Sequence, residues 1–161
     1  MKSNSKQIKI ACLSALGLLI LSGAMLAGRY FFPASAQEVR AGDEISISIT
    51  AAQVSDMYAY QFDLNFDNAA FEYTGGLVSS ISEINTIFAK EFDDHLRVGA
   101  TKIGDVDGFT DRRAAICEVT LTAKKDGELS DISIANVNVV TSELDYLEDI
   151  MDWTHSVRVK S

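Results

Sequence analysis

Tyr58-Ala59-Tyr60-Gln61-Phe62-Asp63-Leu64-Asn65-Phe66 is the stretch that decides the fold. Large apolar side chains recur at every second residue, so Tyr58, Tyr60, Phe62, Leu64 and Phe66 share one face, opposite Ala59, Gln61, Asp63 and Asn65. A β-strand turns successive side chains to opposite faces, whereas a helix would scatter these five around its circumference. The stretch therefore reads as a strand with one face in a core.

The same period extends outward in both directions. Glu44–Thr50 places Ile45, Ile47 and Ile49 together, with hydroxyl residues opposite. Downstream, the Asp67-Asn68 turn leads into a short strand at 70–73 that Gly75-Gly76 is expected to end. Leu77, Ile81 and Ile84 have the spacing of a single helical turn. Strand pattern resumes at 87–92, and Asp93-Asp94 predicts a hairpin into 96–103. After a loop at 104–108, residues 114–124 alternate with Cys117, Val119, Leu121 and Ala123 inward and Glu118, Thr120 and Thr122 outward. Between Ile132 and Val140 the apolar parity changes, which predicts a β-bulge near Ala135-Asn136. Trp153, Val157 and Val159 share a face of the last strand. Short strands separated by turns, with a single Pro in 161 residues, predict an all-β antiparallel sandwich with one core.

The first 36 residues differ in kind. Lys2, Lys6 and Lys9 precede an apolar run from Ile10 to Gly28, and Pro33-Ala34-Ser35-Ala36 supplies the small residues a signal peptidase reads. Residues 1–36 are thus read as a signal peptide, with an uncleaved N-terminal membrane anchor as the open alternative, because 19 residues nearly span a bilayer. In either case residues 37–161 are expected outside the cytoplasm, secreted or tethered to the outer face of the membrane. Without the four leader cations the formal net charge goes from −9 to −13. That surface repels phosphate backbones and makes nucleic acid a poor partner. Cys12 belongs to the leader, so Cys117 stands alone in the remainder and reads as a small core residue.

Residue chemistry gives no catalytic signature. His95 and His155 lack a Ser or Cys motif nearby, and no Gly-rich phosphate loop or CxxC pair occurs. With 23 acidic residues, no carboxylate pair stands out, and a compact sandwich rarely walls a cleft around one. A non-catalytic chain without a cofactor is expected. Asp105, Asp107 and Asp111 around Gly108 are the one Ca²⁺ candidate, but the third ligand and distal Glu of an EF-hand loop are missing, so an acidic turn is the expectation. Stacking of a polysaccharide needs a row of exposed aromatics. Trp153 is the sole Trp, and Tyr73 and Tyr146 lie in separate segments.

Four segments resemble, in order and spacing, those of cohesin domains. They are Val39–Glu44 leading into a strand, Tyr60–Asp67 followed by Phe71-Glu72, Leu96–Thr101, and Ala115–Lys124. The resemblance implies a nine-stranded jelly roll shared with certain carbohydrate-binding modules, and a sheet face that binds dockerin, a small Ca²⁺-loaded module of polysaccharide-degrading enzymes. Carried over residue by residue, the implied partner-binding positions are Ala59, Gln61, Asp63 and Asn65, then Arg97 and Thr101, then Glu118 and Thr120, with Phe109 as an apolar anchor in the loop. Ala59 and Gln61 stand where some dockerin-binding cohesins carry Asn and Asp. The function so implied is recognition of a dockerin-like or other surface protein; the alternative is a carbohydrate-binding or cell-wall-associated sandwich that meets no dockerin.

Overall fold

Eleven strands make up the described part of the chain: β1 (Glu38–Val39), β2 (Glu44–Met57), β3 (Ala59–Asn65), β4 (Phe71–Ser79), β5 (Thr86–Glu91), β6 (Leu96–Thr101), β7 (Phe109–Ala123), β8 (Gly127–Glu128), β9 (Ser133–Val140), β10 (Tyr146–Leu147) and β11 (Asp152–Lys160). The computed structural model describes residues 37–84, 86–129, 131–147 and 152–160. The expected leader and Cys12 lie outside these residues. Ala36–Ser161 is one compact unit.

Two antiparallel sheets face each other. One has the order β10-β9-β3-β6-β5, the other β11-β2-β7-β4, and β1 and β8 form a small separate pair. The alternation read from the sequence builds the core directly. Phe62, Leu64, Leu96 and Val98 from the first sheet and Ile45, Ile47, Ile49, Val119 and Leu121 from the second are all fully buried. Trp153 of β11 crosses the gap, its ring 5.9 Å from Tyr60 and 5.7 Å from Phe62. It is core filling, and its ring is unavailable as a sugar platform.

The bulge falls where the change of parity puts it. Between the Gln61↔Asn138 and Asp63↔Ala135 pairs, β9 carries an extra residue. Asn136 adopts φ 49°, a left-handed conformation that Asn tolerates better than most residues. Ile134 and Val137, on opposite parities, both pack against the core as a result.

Four expectations are corrected. β2 runs seven residues past Thr50, through two left-handed residues, Gln53 and Asp56, before it ends at Met57. Gly75-Gly76 does not end β4. Thr74 and Gly75 form a bulge against β7 between the Tyr73↔Leu121 and Gly76↔Thr120 partners, and the strand continues to Ser79. The Leu77–Ile84 segment holds no helical turn among the described residues: Leu77 is in β4, while Ile81 and Ile84 flank a tight turn closed by Ile84 N–H to the Ile81 carbonyl (3.2 Å). Phe109 is not in a loop. It opens β7 opposite Met57 and packs half-buried on the core.

Candidate functional site

Direct partners in antiparallel strands project from the same face, so the register lays out the outer surface of the five-stranded sheet in rows. One row runs Tyr146, Val140, Ala59, Thr101, Thr86 from β10 to β5. The next runs Asn138, Gln61, Gly99, Phe88. The third runs Asp63, Arg97, Lys90, with Asn136 reaching in from the β9 bulge.

The first two rows enclose an open groove of about 450 Å³. Phe88 and Tyr146 flank it, 51% and 74% exposed. Gly99 sets its shape: a Cβ there would lie 2.5 Å from Phe88 Cζ, so the glycine lets the ring lie flat over β6. Tyr146 is placed by Asp56. The Asp56 carboxylate accepts the Ser142 hydroxyl (2.8 Å) and the Ser142 and Gly108 amides (3.3 and 3.0 Å), tying the turn before β10 to the loop before β7. Within that turn Thr141 N–H donates to the Asp145 carbonyl (2.9 Å), and Asp145 N–H returns a bond to the Thr141 hydroxyl (3.1 Å).

The third row holds an ion pair, Asp63 with Arg97, beside the exposed Lys90, whose Nζ lies 5.0 Å from the Phe92 ring centre. Asp63 points outward by parity yet is 1% exposed. Arg97 donates to both carboxylate oxygens, Nε to Oδ1 at 2.7 Å and Nη2 to Oδ2 at 2.9 Å. Asn136 Nδ2 adds a third bond to Oδ2 at 2.8 Å. The Arg97 hydrogen bonds hold the Asp63 carboxyl below the usual carboxylate range, against the opposing effect of burial, with Asn136 assisting. His95 Nε2 lies 3.5 Å from Asp63 Oδ1 while its Nδ1 is 2.6 Å from Asp94 Oδ1. The His95 ring stacks on Phe92, and the Arg97 guanidinium sits 5.1 Å from the same ring.

These positions divide the residues named from the sequence into three groups. Ala59, Gln61 and Thr101 line the groove. Asp63, Asn65 and Arg97 are on the same face but engaged within the sheet, Asn65 through its amide to the Ser133 hydroxyl (3.3 Å). Glu118 and Thr120 are elsewhere, which corrects the expectation of one surface drawn from three strands: β7 belongs to the four-stranded sheet, so its outward residues are on the opposite side of the sandwich. There Glu118 accepts from the Ser46 hydroxyl (2.6 Å) and Lys160 (3.2 Å), which together lower its pKa, Ser46 most. Thr120 closes over Gly76, where an added Cβ would lie 2.5 Å from its own. The strand pattern gives which way a β7 side chain points relative to its own sheet but not which sheet β7 joins.

Asp105 and Asp107 are in the exposed loop, and Asp111 in β7 accepts from the Arg113 amide (3.1 Å). Among the described residues no three His, Cys, Asp or Glu side chains gather as a metal would need. Phe88, Gly99, Asn138 and Val140 were not singled out from the sequence. A signal for Phe88 existed: it alternates with Ile87 and Ala89, which pack on the core, so its parity is outward. Tyr146 follows an irregular turn that periodicity does not describe.

The described residues thus form a two-sheet sandwich with a shallow, aromatic-flanked groove on the outer face of one sheet. The family model of the cohesin domain matches residues 32–157, and the chain belongs to that family. No curated protein sequence matches it. Among solved structures, the sixth cohesin of Acetivibrio cellulolyticus scaffoldin B, solved in complex with a mutant Cel5 dockerin, aligns with TM-score 0.55 and 15% identity over 67% of this chain and 83% of that one. The cohesin module of a Clostridium perfringens family 33 glycoside hydrolase aligns with TM-score 0.48 and 13% identity over 73% and 96%.

Proposed function

We propose that this chain acts outside the cytoplasm as a non-catalytic module whose five-stranded sheet, on its outer face, binds a dockerin-type module. The observation that carries the reading is the groove on β9-β3-β6: it brings Ala59, Gln61 and Thr101 together between two exposed aromatics. Family membership supports it, as does the dockerin bound to the Acetivibrio cellulolyticus cohesin. Export is supported by the basic, apolar and small-residue sequence of the first 36 residues. The test is calorimetric titration of residues 36–161, the compact unit, with each Ca²⁺-loaded dockerin encoded in the same genome. Saturable binding to at least one is expected; none binding would refute the reading.

One observation favours a second reading. Phe88 and Tyr146 are both exposed beside one groove, and sugar rings stack on such side chains. Soluble glucans titrated into the same unit separate the two: heat with glucans and none with dockerins would make the face a carbohydrate site.

A further inference from the structure

We infer, resting on the dockerin reading, that Lys90 and Arg97 form a receptor for one acidic side chain of the partner, beside the groove. Charge is the first argument. The chain is acidic, with a formal net charge of −9, yet this row carries two cations and one anion: Lys90, Arg97 and Asp63. The Asp63 carboxylate is 1% exposed and is turned to Arg97 and Asn136, from which it accepts three hydrogen bonds. Lys90 and Arg97 are direct cross-strand partners, and like charges so placed repel. Lys90 is exposed and makes no ion pair among the described residues. The acids nearest in the chain leave it so. Glu91 has the opposite parity, Asp94 is engaged by His95 Nδ1 at 2.6 Å, and Asp93 in the turn makes no ion pair either. Within the fold the Lys90–Arg97 pair is only a repulsion; a partner carboxylate set between the two cations turns it into attraction.

Geometry is the second argument. Arg97 gives Nε and Nη2 to Asp63, which leaves Nη1 with no hydrogen-bond partner among the described residues, on a side chain that is 34% exposed. The Phe92 ring holds the two cations together: Lys90 Nζ is 5.0 Å from its centre and the Arg97 guanidinium carbon 5.1 Å. His95 stacks on that ring at 4.6 Å and fixes it in turn. Both cations are thus in position before a partner arrives, which lowers the ordering cost of binding. Lys90 is two residues from Phe88 on β5, and Arg97 two from Gly99 on β6, in each case on the same face. The receptor therefore lies about 7 Å from the groove along the strands. A partner seated in the groove reaches it with an Asp or Glu one such step farther on. A Lys or Arg at that place would be repelled, so the pair selects partners by the sign of one charge.

The experiment measures the affinity of residues 36–161 for the dockerin bound in the titration above, at about 50 mM and about 500 mM NaCl, since screening by salt exposes ion pairs. At the lower salt Lys90→Gln should weaken binding about fivefold and Lys90→Glu about twentyfold or more, and both losses should shrink at the higher salt. Lys125→Glu, an equal change of charge in the turn before β8, should leave affinity within about twofold of the parent. Each exposed Asp and Glu of that dockerin that is not a Ca²⁺ ligand is then replaced by its amide. One of these replacements should abolish the difference between the parent and Lys90→Gln, a coupling of about fivefold in the double-mutant cycle. Lys90 variants that bind within about twofold of the parent at low salt, or the absence of any dockerin acid that couples to Lys90, overturn the inference while the dockerin reading stands. Absence of binding by every dockerin overturns both; heat with polygalacturonate that Lys90→Glu abolishes would then assign the two cations to an acidic polysaccharide instead.

Discussion

Replacing Asp63 by Asn changes one atom in a side chain that is 1% exposed and holds three donors. The amide keeps one acceptor oxygen and turns an NH₂ toward groups that can only donate. Hydrogen bonds to charged groups contribute about 1.5–3 kcal/mol each, so losing at least one, with repulsion at its place, costs about 2–4 kcal/mol. The Arg97 side chain is 34% exposed, and water replaces part of what it loses. We therefore expect about 2 kcal/mol, read as a fall in urea midpoint of about 1 M at constant slope. The pH dependence carries the sign. The folded Asp63 pKa is below its ordinary 3.8, chiefly through Arg97. Its contribution is therefore complete above the unfolded value and is lost as pH falls through the folded one. The gap between parent and variant should stay constant from about pH 8 to about pH 5 and shrink below about pH 4. A midpoint within about 0.2 M of the parent, or a gap that widens on acidification, would refute the ion-pair account.

Other outcomes follow from the same packing. Phe62→Ala empties a site that is 0% exposed between the sheets and should cost about 3–5 kcal/mol in denaturant unfolding, the largest single loss among these. Burial pushes the Cys117 thiol up to about 12, so a thiol reagent at about pH 8 should leave it unmodified in the native state and react at once after denaturation. Asp56→Ala removes the carboxylate that ties Ser142 to Gly108, and hydrogen exchange should speed up at both amides while core strands keep their protection.

The parts of this molecule that the sequence discloses are those written in local alternation. Ile45, Ile47 and Ile49, then Tyr60, Phe62, Leu64 and Phe66, and the inward set of β7 all point where their parity says. Tyr58, just before β3, is not among the core residues, and its hydroxyl donates to the Gly104 carbonyl (2.7 Å). The bulge at Asn136 follows from Ile134 and Val137 both needing the core. Sheet membership is not local. Glu118 and Thr120 point outward as read, but pairing of β7 with β2 and β4 carries them to the far side from Gln61. Asp63 shows a subtler limit: its outward parity is visible, while its burial depends on Arg97, 34 residues away, and on an Asn turned by the bulge. Phe88 and Gly99 become a feature only as cross-strand partners, which no single-strand pattern records.

The central claim is that the β10-β9-β3-β6-β5 face, not its opposite, meets the partner. Backbone amide shifts of labelled residues 36–161, recorded as a dockerin is added, test it most directly. The account predicts shifts concentrated at Ala59, Gln61, Phe88, Gly99, Thr101 and Tyr146. Shifts concentrated instead at Ser46, Glu118, Thr120 and Thr154, on the four-stranded sheet, would contradict it.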